Sequence, residues 1–204
     1  MLELVRLEAK NKELALNNAL EKLNAEISEV YYYFDEIDGG LFSSKKFRVS
    51  MVTKYSIKEY IKKILKDLEY YMNSKFEIEI MENEYGYSVI IISENSAVLI
   101  GKDGKMLDSI QNILRQTIRK LGKFDIKVNL DISNYKVKKE KNIVFEVKKI
   151  AKEVLSSGVA AKLDPMNSYE RLIVHNTISK YDKLTTESIG ETPNRYVVIK
   201  LKED

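Results

Sequence analysis

Two glycines stand three positions apart between an apolar run and an amphipathic segment, in the sequence Ile100-Gly101-Lys102-Asp103-Gly104-Lys105. Glycine lacks Cβ, so we expect Gly101 to adopt a left-handed conformation that ends one helix and Gly104 to let an anion approach the start of the next. Backbone N–H groups and the helix dipole would face that anion. Lys102 and Lys105 add positive charge, and Asp103 reduces it. The turn predicts single-stranded nucleic acid as a ligand, and a plain helix–helix turn is the alternative.

The hydrophobic pattern on both sides of the turn predicts a fixed order of elements. Apolar residues repeat at helical spacing from Ile57 to Met72, and alternation predicts strands over Phe76–Ile80 and Tyr85–Ile92. A short helix leads into the turn. After it, one apolar helix face and an alternating strand predict the segments Leu107–Leu121 and Phe124–Leu130. The predicted order is α-β-β-α-α-β.

With its glycine turn between the fourth and fifth elements, this order resembles a type II KH domain, whose loop clamps a few backbone nucleotides. The resemblance covers residues 56–132 and implies an RNA-binding site at the turn and on the helix after it, with members Ile100, Gly101, Lys102, Asp103, Gly104, Lys105 and Arg115. A Walker A loop is excluded because only two residues separate the glycines and Met106 occupies the place of the magnesium-binding Ser or Thr. The segment carries twelve basic and twelve acidic residues, so we expect it to bind RNA with modest affinity.

A second pattern pairs Arg171 with His175, four positions apart in a segment that begins with the helix-capping sequence Asn167-Ser168. This spacing places both side chains on one helix face. Arginine can bind a phosphate with two hydrogen bonds, and imidazole can donate another. The pattern therefore predicts a phosphate-binding pair. A satisfied, half-buried histidine that packs against its neighbours is the alternative.

The residues around this pair resemble an R-three-H domain, a module that binds single-stranded nucleic acid and is named for an arginine and a histidine three residues apart. The resemblance rests on Pro165-Met166, Glu170-Arg171, His175, Thr186-Glu187-Ser188 and Arg195. It covers residues 133–204 and implies phosphate binding by Arg171, His175 and Arg195. The domain would begin with a long helix over 135–157, in which seven lysines and two glutamates lie between positions 136 and 152.

A type II KH domain fused directly to an R-three-H domain resembles the Jag family of bacterial proteins, also called KhpB or EloR, over essentially the whole chain. Residues 1–55 are similar to the N-terminal module of that family and predict a β-α-β-β unit. We therefore expect an α+β protein of three small α/β modules, at 1–55, 56–132 and 133–204. The resemblance implies post-transcriptional control linked to cell elongation and division, with a small single-KH protein as a partner.

Two departures from the family pattern affect these expectations. Asp103 occupies a loop position where a basic or neutral residue would favour RNA. Ile37 and Asp38 stand where the family usually has lysines before a Gly-Phe-rich turn. An exposed Leu41-Phe42 could dock a partner, whereas in the alternative Gly39-Gly40 is a simple hairpin turn and both apolar side chains fold back onto the sheet.

Composition bounds the remaining classes of function. The chain has 204 residues, a net charge of +3, no cysteine and one histidine, so a structural zinc site is implausible and we expect no metal and no cofactor. No convincing hydrolytic triad is present, so we expect no enzyme. The N-terminus lacks a signal-peptide pattern and the apolar runs are too short to span a bilayer, which predicts a cytoplasmic protein without direct membrane insertion.

Two functions are consistent with the sequence. The first is a non-catalytic regulator that binds single-stranded RNA, with single-stranded DNA as an alternative ligand. The second, implied by the resemblance, is a protein–protein adaptor for a membrane insertase or the cell-wall elongation machinery, with the N-terminal module as its docking surface. The balanced charge of residues 56–132 is consistent with the adaptor.

Overall fold

The computed structural model describes residues 3–38 and 45–202. The Leu41-Phe42 segment and the turn predicted at Gly39-Gly40 lie outside the described residues. The chain divides into two compact units, Met1–Ser133 and Asn134–Asp204.

The first unit begins with a three-stranded antiparallel sheet covered by one helix. Its elements are β1 (Leu4–Ala9), α1 (Lys12–Leu23), β2 (Val30–Ile37) and β3 (Lys46–Thr53), and the strand order is β1-β3-β2. The Asn11 side chain accepts a hydrogen bond from the backbone N–H of Leu14 and so caps α1. Ala15 and Ala19 are fully buried, and their small side chains let the helix lie close to the sheet.

The same unit continues with the predicted α-β-β-α-α-β order. Its elements are α2 (Lys54–Tyr71), β4 (Phe76–Asn83), β5 (Gly86–Ser93), α3 (Ser96–Ile100), α4 (Lys105–Gly122) and β6 (Lys127–Ile132). The strand order is β4-β5-β6, with β4 antiparallel and β6 parallel to β5. Helix α4 buries Leu107, Leu114 and Ile118. This helix follows the glycine turn directly, so its packing fixes the position of the turn.

The N-terminal sheet and the α-β-β-α-α-β segment are joined by direct contacts within the first unit. The Tyr87 hydroxyl donates a hydrogen bond to the Lys54 carbonyl at 2.8 Å, and its ring meets Tyr31 edge to face at 6.3 Å between centroids. Arg6 donates to the Leu121 carbonyl at the end of α4 at 2.6 Å. Burial of Tyr87 raises the pKa of its hydroxyl well above the ordinary value. The first three strands therefore support the KH-like part of the chain.

The second unit packs two helices on another three-stranded antiparallel sheet. Its elements are α5 (Tyr135–Ser157), β7 (Ala161–Lys162), α6 (Ser168–Ile178), β8 (Leu184–Ile189) and β9 (Tyr196–Leu201), in the strand order β7-β9-β8. The core is formed by apolar side chains from both helices and two of the strands, chiefly Val147, Ala151, Val154, Val174, Ile178, Leu184, Val197 and Ile199.

The architecture confirms the predicted fold class, an α+β protein with three small sheets. Within the described residues, no helix has the length and apolar character needed to cross a membrane.

Candidate nucleic-acid interface

The glycine turn links α3 to α4 through one turn of 3-10 helix, Lys102–Gly104. The backbone N–H of Gly101 donates to the Ala97 carbonyl at 2.9 Å and closes α3. Gly101 has φ 68° and ψ −178°, whereas Gly104 has φ 86° and ψ 8°. The prediction that Gly101 adopts the left-handed helical conformation was therefore wrong, because its φ is positive but its ψ is extended. The chain must leave α3 in an extended direction, and Gly104 is the glycine that adopts the left-handed conformation.

Close packing makes glycine necessary at Gly101. A Cβ atom there would lie 2.7 Å from the Cβ of Met106 and 3.1 Å from its backbone nitrogen. Gly104 is buried and also has a positive φ. Asp103, between them, has φ 57°, a conformation that aspartate tolerates better than most residues. The backbone of the turn at Gly101 therefore packs directly against Met106 at the start of α4.

The turn presents positive charge beside the start of α4. Lys102 and Lys105 are exposed, and no side chain caps the helix at Gly104. The first N–H groups of a helix have no partner within that helix, and its dipole is positive at this end. The N–H groups of Gly104 and Lys105 already donate to the Gly101 and Lys102 carbonyls. A phosphate placed here would accept hydrogen bonds from other N–H groups of the first turn of α4 and lie near Lys102 and Lys105. Asp103 is exposed in the same turn and lowers the net charge.

Arg115 lies in a different setting from the lysines. It is half-buried, its Nε donates to the Val128 carbonyl of β6 at 2.8 Å, and Gln111 accepts the Leu130 N–H at 2.9 Å. Both contacts join α4 to the edge strand of the sheet. The spacing of four between Gln111 and Arg115 was visible in the sequence, but only the fold shows that both face β6. Arg115 therefore holds α4 in place, and any phosphate contact would use its other N–H groups.

Arg171 is anchored at the start of α6. Its guanidinium donates to the Met166 carbonyl at 2.9 Å and to the Ser168 hydroxyl at 3.1 Å. Met166 also donates its backbone N–H to the Arg195 carbonyl at 3.0 Å. Met166 thus binds both the Arg171 guanidinium and the backbone carbonyl of Arg195, which is an exposed residue. A guanidinium has five N–H groups, and these two contacts use two of those of Arg171.

His175 is half-buried and both of its ring nitrogens have partners on β8. Nδ1 lies 2.7 Å from the Thr186 hydroxyl, and Nε2 lies 2.9 Å from the Ser188 hydroxyl. Burial and, next, the charge of Arg171 lower the pKa of His175 below its ordinary value, which favours the neutral ring. A neutral imidazole donates at one nitrogen and accepts at the other. Direct donation from the ring to a phosphate would require one of these bonds to break, so the ring orients the two hydroxyls.

Glu170 forms a contact that the spacing of Arg171 and His175 does not reveal. It is 9% exposed, accepts the Asn167 N–H at 2.8 Å as part of a capping box, and forms an ion pair with Lys139 of α5. The capping sequence was recognised, but the partner 31 positions earlier was not. The start of α6, and with it Arg171, is therefore fixed to α5.

Comparison with known proteins identifies the two domains that these segments resemble. Residues 58–132 match the family profile described as the KhpA/KhpB KH domain, and residues 142–201 match the R-three-H domain. RNA-binding protein KhpB of Clostridium symbiosum is 29% identical over the whole chain and 94% of that relative. RNA-binding protein KhpB of Bacillus subtilis (strain 168) is 29% identical over 80% of this chain and 79% of the relative.

The two matched segments contain the glycine turn and the Arg171–His175 pair respectively, in the order predicted for the Jag family. Because the likeness also continues through the N-terminal sheet, it covers all three modules. The chain therefore carries a KH domain of the KhpA/KhpB family followed by an R-three-H domain, and it is similar to a KhpB protein over its whole length.

Proposed function

We propose that this chain is a non-catalytic protein that binds single-stranded RNA, with the glycine turn as its main contact. The observation that carries the proposal is the turn itself, where Gly101 and Gly104 place the backbone against an uncapped helix start between two exposed lysines. The relatives named RNA-binding protein KhpB are consistent with it. Single-stranded DNA presents the same phosphates, so the 2′-hydroxyl decides between the two nucleic acids.

The R-three-H part supplies the second contact in this proposal. Arg171 is held by Met166 and Ser168, and the Thr186 and Ser188 hydroxyls are oriented by His175. Arg195 is the third group in this proposal, since it is exposed and its backbone carbonyl accepts the Met166 N–H of the same loop. We expect these groups to bind a phosphate or a strand end.

By the same resemblance we propose that RNA binding serves post-transcriptional control of cell elongation and division. A small single-KH protein is the partner that the profile shared by KhpA and KhpB suggests. The second candidate function is an adaptor that binds a membrane insertase or the elongation machinery through the N-terminal module. The balanced charge of residues 56–132 favours it, because a polyanion is attracted only weakly to a neutral domain.

The test is fluorescence anisotropy of the full chain with mixed-sequence single-stranded RNA and DNA at two salt concentrations. Lys102→Asp places a negative charge where the phosphate would lie, and we expect it to weaken RNA binding at least about tenfold. Arg171→Ala should also weaken binding. Lys58→Asp, at an exposed lysine of α2, is the matched control and should have little effect.

The outcomes separate the two candidate functions. Salt-sensitive binding that Lys102→Asp removes and Lys58→Asp preserves would support the RNA-binding function. A folded wild-type chain that binds neither nucleic acid would contradict it and favour the adaptor. Wild-type affinity in folded Lys102→Asp would show that the glycine turn is not the contact.

A further inference from the structure

Helix α5 exposes an aromatic side chain in the middle of its length. Phe145 is 73% exposed, although it lies in a helix of 23 residues whose other face is packed. The buried residues of α5 are Val147, Ala151 and Val154. Phe145 therefore contributes little to the hydrophobic core of the second unit.

Five lysines surround Phe145 on the same helix face. They lie seven and four positions before it and three, four and seven positions after it, at Lys138, Lys141, Lys148, Lys149 and Lys152. At 100° per residue, each of these lysines lies within about 60° of Phe145 around the helix axis. All five are exposed, and in the described part of the chain none forms an ion pair. We call Phe145 and these lysines the α5 stripe.

No acidic residue lies within the α5 stripe. Glu146 and Glu153 lie about 80–100° away from Phe145 around the helix. Glu140 lies on the far side, where it accepts a hydrogen bond from the Tyr169 hydroxyl at 3.0 Å. At a rise of 1.5 Å per residue, the lysines extend over roughly 21 Å. The stripe is thus a continuous positive surface with one aromatic ring at its centre.

We propose that the α5 stripe is an additional binding site for single-stranded RNA, in which the lysines contact successive phosphates and an unpaired base stacks on Phe145. The inference rests on the proposed function and adds a site separate from the glycine turn and from Arg171. Stacking on an exposed ring requires a base that is not paired, which selects single strands over duplexes. An anionic membrane fits less well, since a helix that lies on a membrane needs an apolar face and this sector has one apolar side chain among five lysines.

Substitutions at Phe145 test the stacking contact. Phe145→Ala in the full chain should lower the affinity for mixed-sequence single-stranded RNA about 5- to 150-fold. Phe145→Trp keeps an aromatic ring and should retain wild-type affinity, whereas Phe145→Leu keeps an apolar side chain without one and should bind like alanine. Tyr55→Ala is the matched control, because Tyr55 is also 73% exposed on a helix and lies outside the stripe.

Removal of charge tests the phosphate contacts. Lys141, Lys148 and Lys149 replaced together by glutamine should reduce the slope of log affinity against log salt by about 2, since each phosphate contact on a single strand contributes about 0.7. Lys58, Lys62 and Lys63 of α2, replaced together by glutamine, provide the same change in charge at exposed positions elsewhere and should preserve the slope.

Each result decides the proposal. Wild-type affinity in folded Phe145→Ala, together with lost binding in Lys102→Asp, would overturn the α5 stripe and leave the proposed function intact. A wild-type chain that binds no RNA would overturn both. Phe145→Ala that lowers binding to vesicles of phosphatidylglycerol and phosphatidylcholine but not to RNA would assign the stripe to a membrane surface and overturn the proposal.

Discussion

Gly101 lies so close to Met106 that the turn has no room for a Cβ atom at position 101. Replacement of Gly101 by alanine would place a Cβ atom 2.7 Å from the Met106 Cβ, at a φ of +68°. We expect Gly101→Ala to lower the free energy of unfolding by about 1–3 kcal/mol, because the backbone must shift or remain strained. Urea unfolding measures this change. Lys102→Ala, at the neighbouring exposed position, should stay within about 0.5 kcal/mol, and an unchanged midpoint in Gly101→Ala would contradict the geometry.

We expect the free energy of unfolding to fall in mild acid because of His175. Its pKa is lower in the folded chain than the value of about 6.5 expected after unfolding. Just below that value the unfolded chain binds more protons, so the contribution of His175 to stability is complete above about pH 6.5 and falls as pH drops through the folded pKa.

The measurement is the free energy of unfolding at about pH 7.5 and about pH 5.5. The wild-type chain should lose more stability between these values than His175→Gln, which cannot titrate at this position. Equal losses in the two proteins would show that the ring is not held in its neutral form.

Some features of single residues follow from local sequence, and others depend on contacts between distant segments. The need for glycine at Gly101 and Gly104 was predictable, because their spacing and flanking segments are local features. The partners of His175 were not, because the Thr186 and Ser188 hydroxyls lie 11 and 13 positions away on another element. Arg115 was predicted as a member of the RNA-binding site, and only the position of β6 shows that its Nε is already bonded.

At the scale of elements, the start of α6 depends on Glu170 through two contacts. Glu170→Ala removes the acceptor for the Asn167 N–H and the partner of Lys139, and should cost about 1–3 kcal/mol of unfolding free energy. Glu170→Gln keeps an amide oxygen for the capping box and should cost less. Urea unfolding compares the two, with Glu146→Ala, an exposed position on α5, as the control. Equal costs for alanine and glutamine would contradict a capping role.

The elements themselves follow from local patterns. Helix α4 has a strongly one-sided apolar pattern, and it was predicted with the face that it buries. The predicted strands also occur, because alternation along the chain indicates a sheet with one buried face. What the patterns did not supply is which elements meet, such as Tyr87 with Tyr31 or α5 with α6 through Lys139 and Glu170. Those contacts depend on tertiary packing.

At the scale of the whole molecule, the chain carries its candidate contacts in both compact units. The glycine turn belongs to the first unit, where residues 1–55 and 56–132 have net charges of −1 and zero. The Arg171 site and the α5 stripe belong to the second unit, where residues 133–204 have a net charge of +4. We therefore expect the second unit to supply most of the long-range attraction and the glycine turn to supply a defined contact.

Hydrogen–deuterium exchange of the full chain, with and without saturating single-stranded RNA, measures whether RNA contacts the glycine turn. A phosphate bound at the start of α4 would accept hydrogen bonds from backbone N–H groups in the first turn of the helix. We expect slower exchange over residues 101–107 when RNA is bound, and no such change over α2. RNA binding that leaves exchange over residues 101–107 unchanged would contradict the assignment of the glycine turn as the main contact.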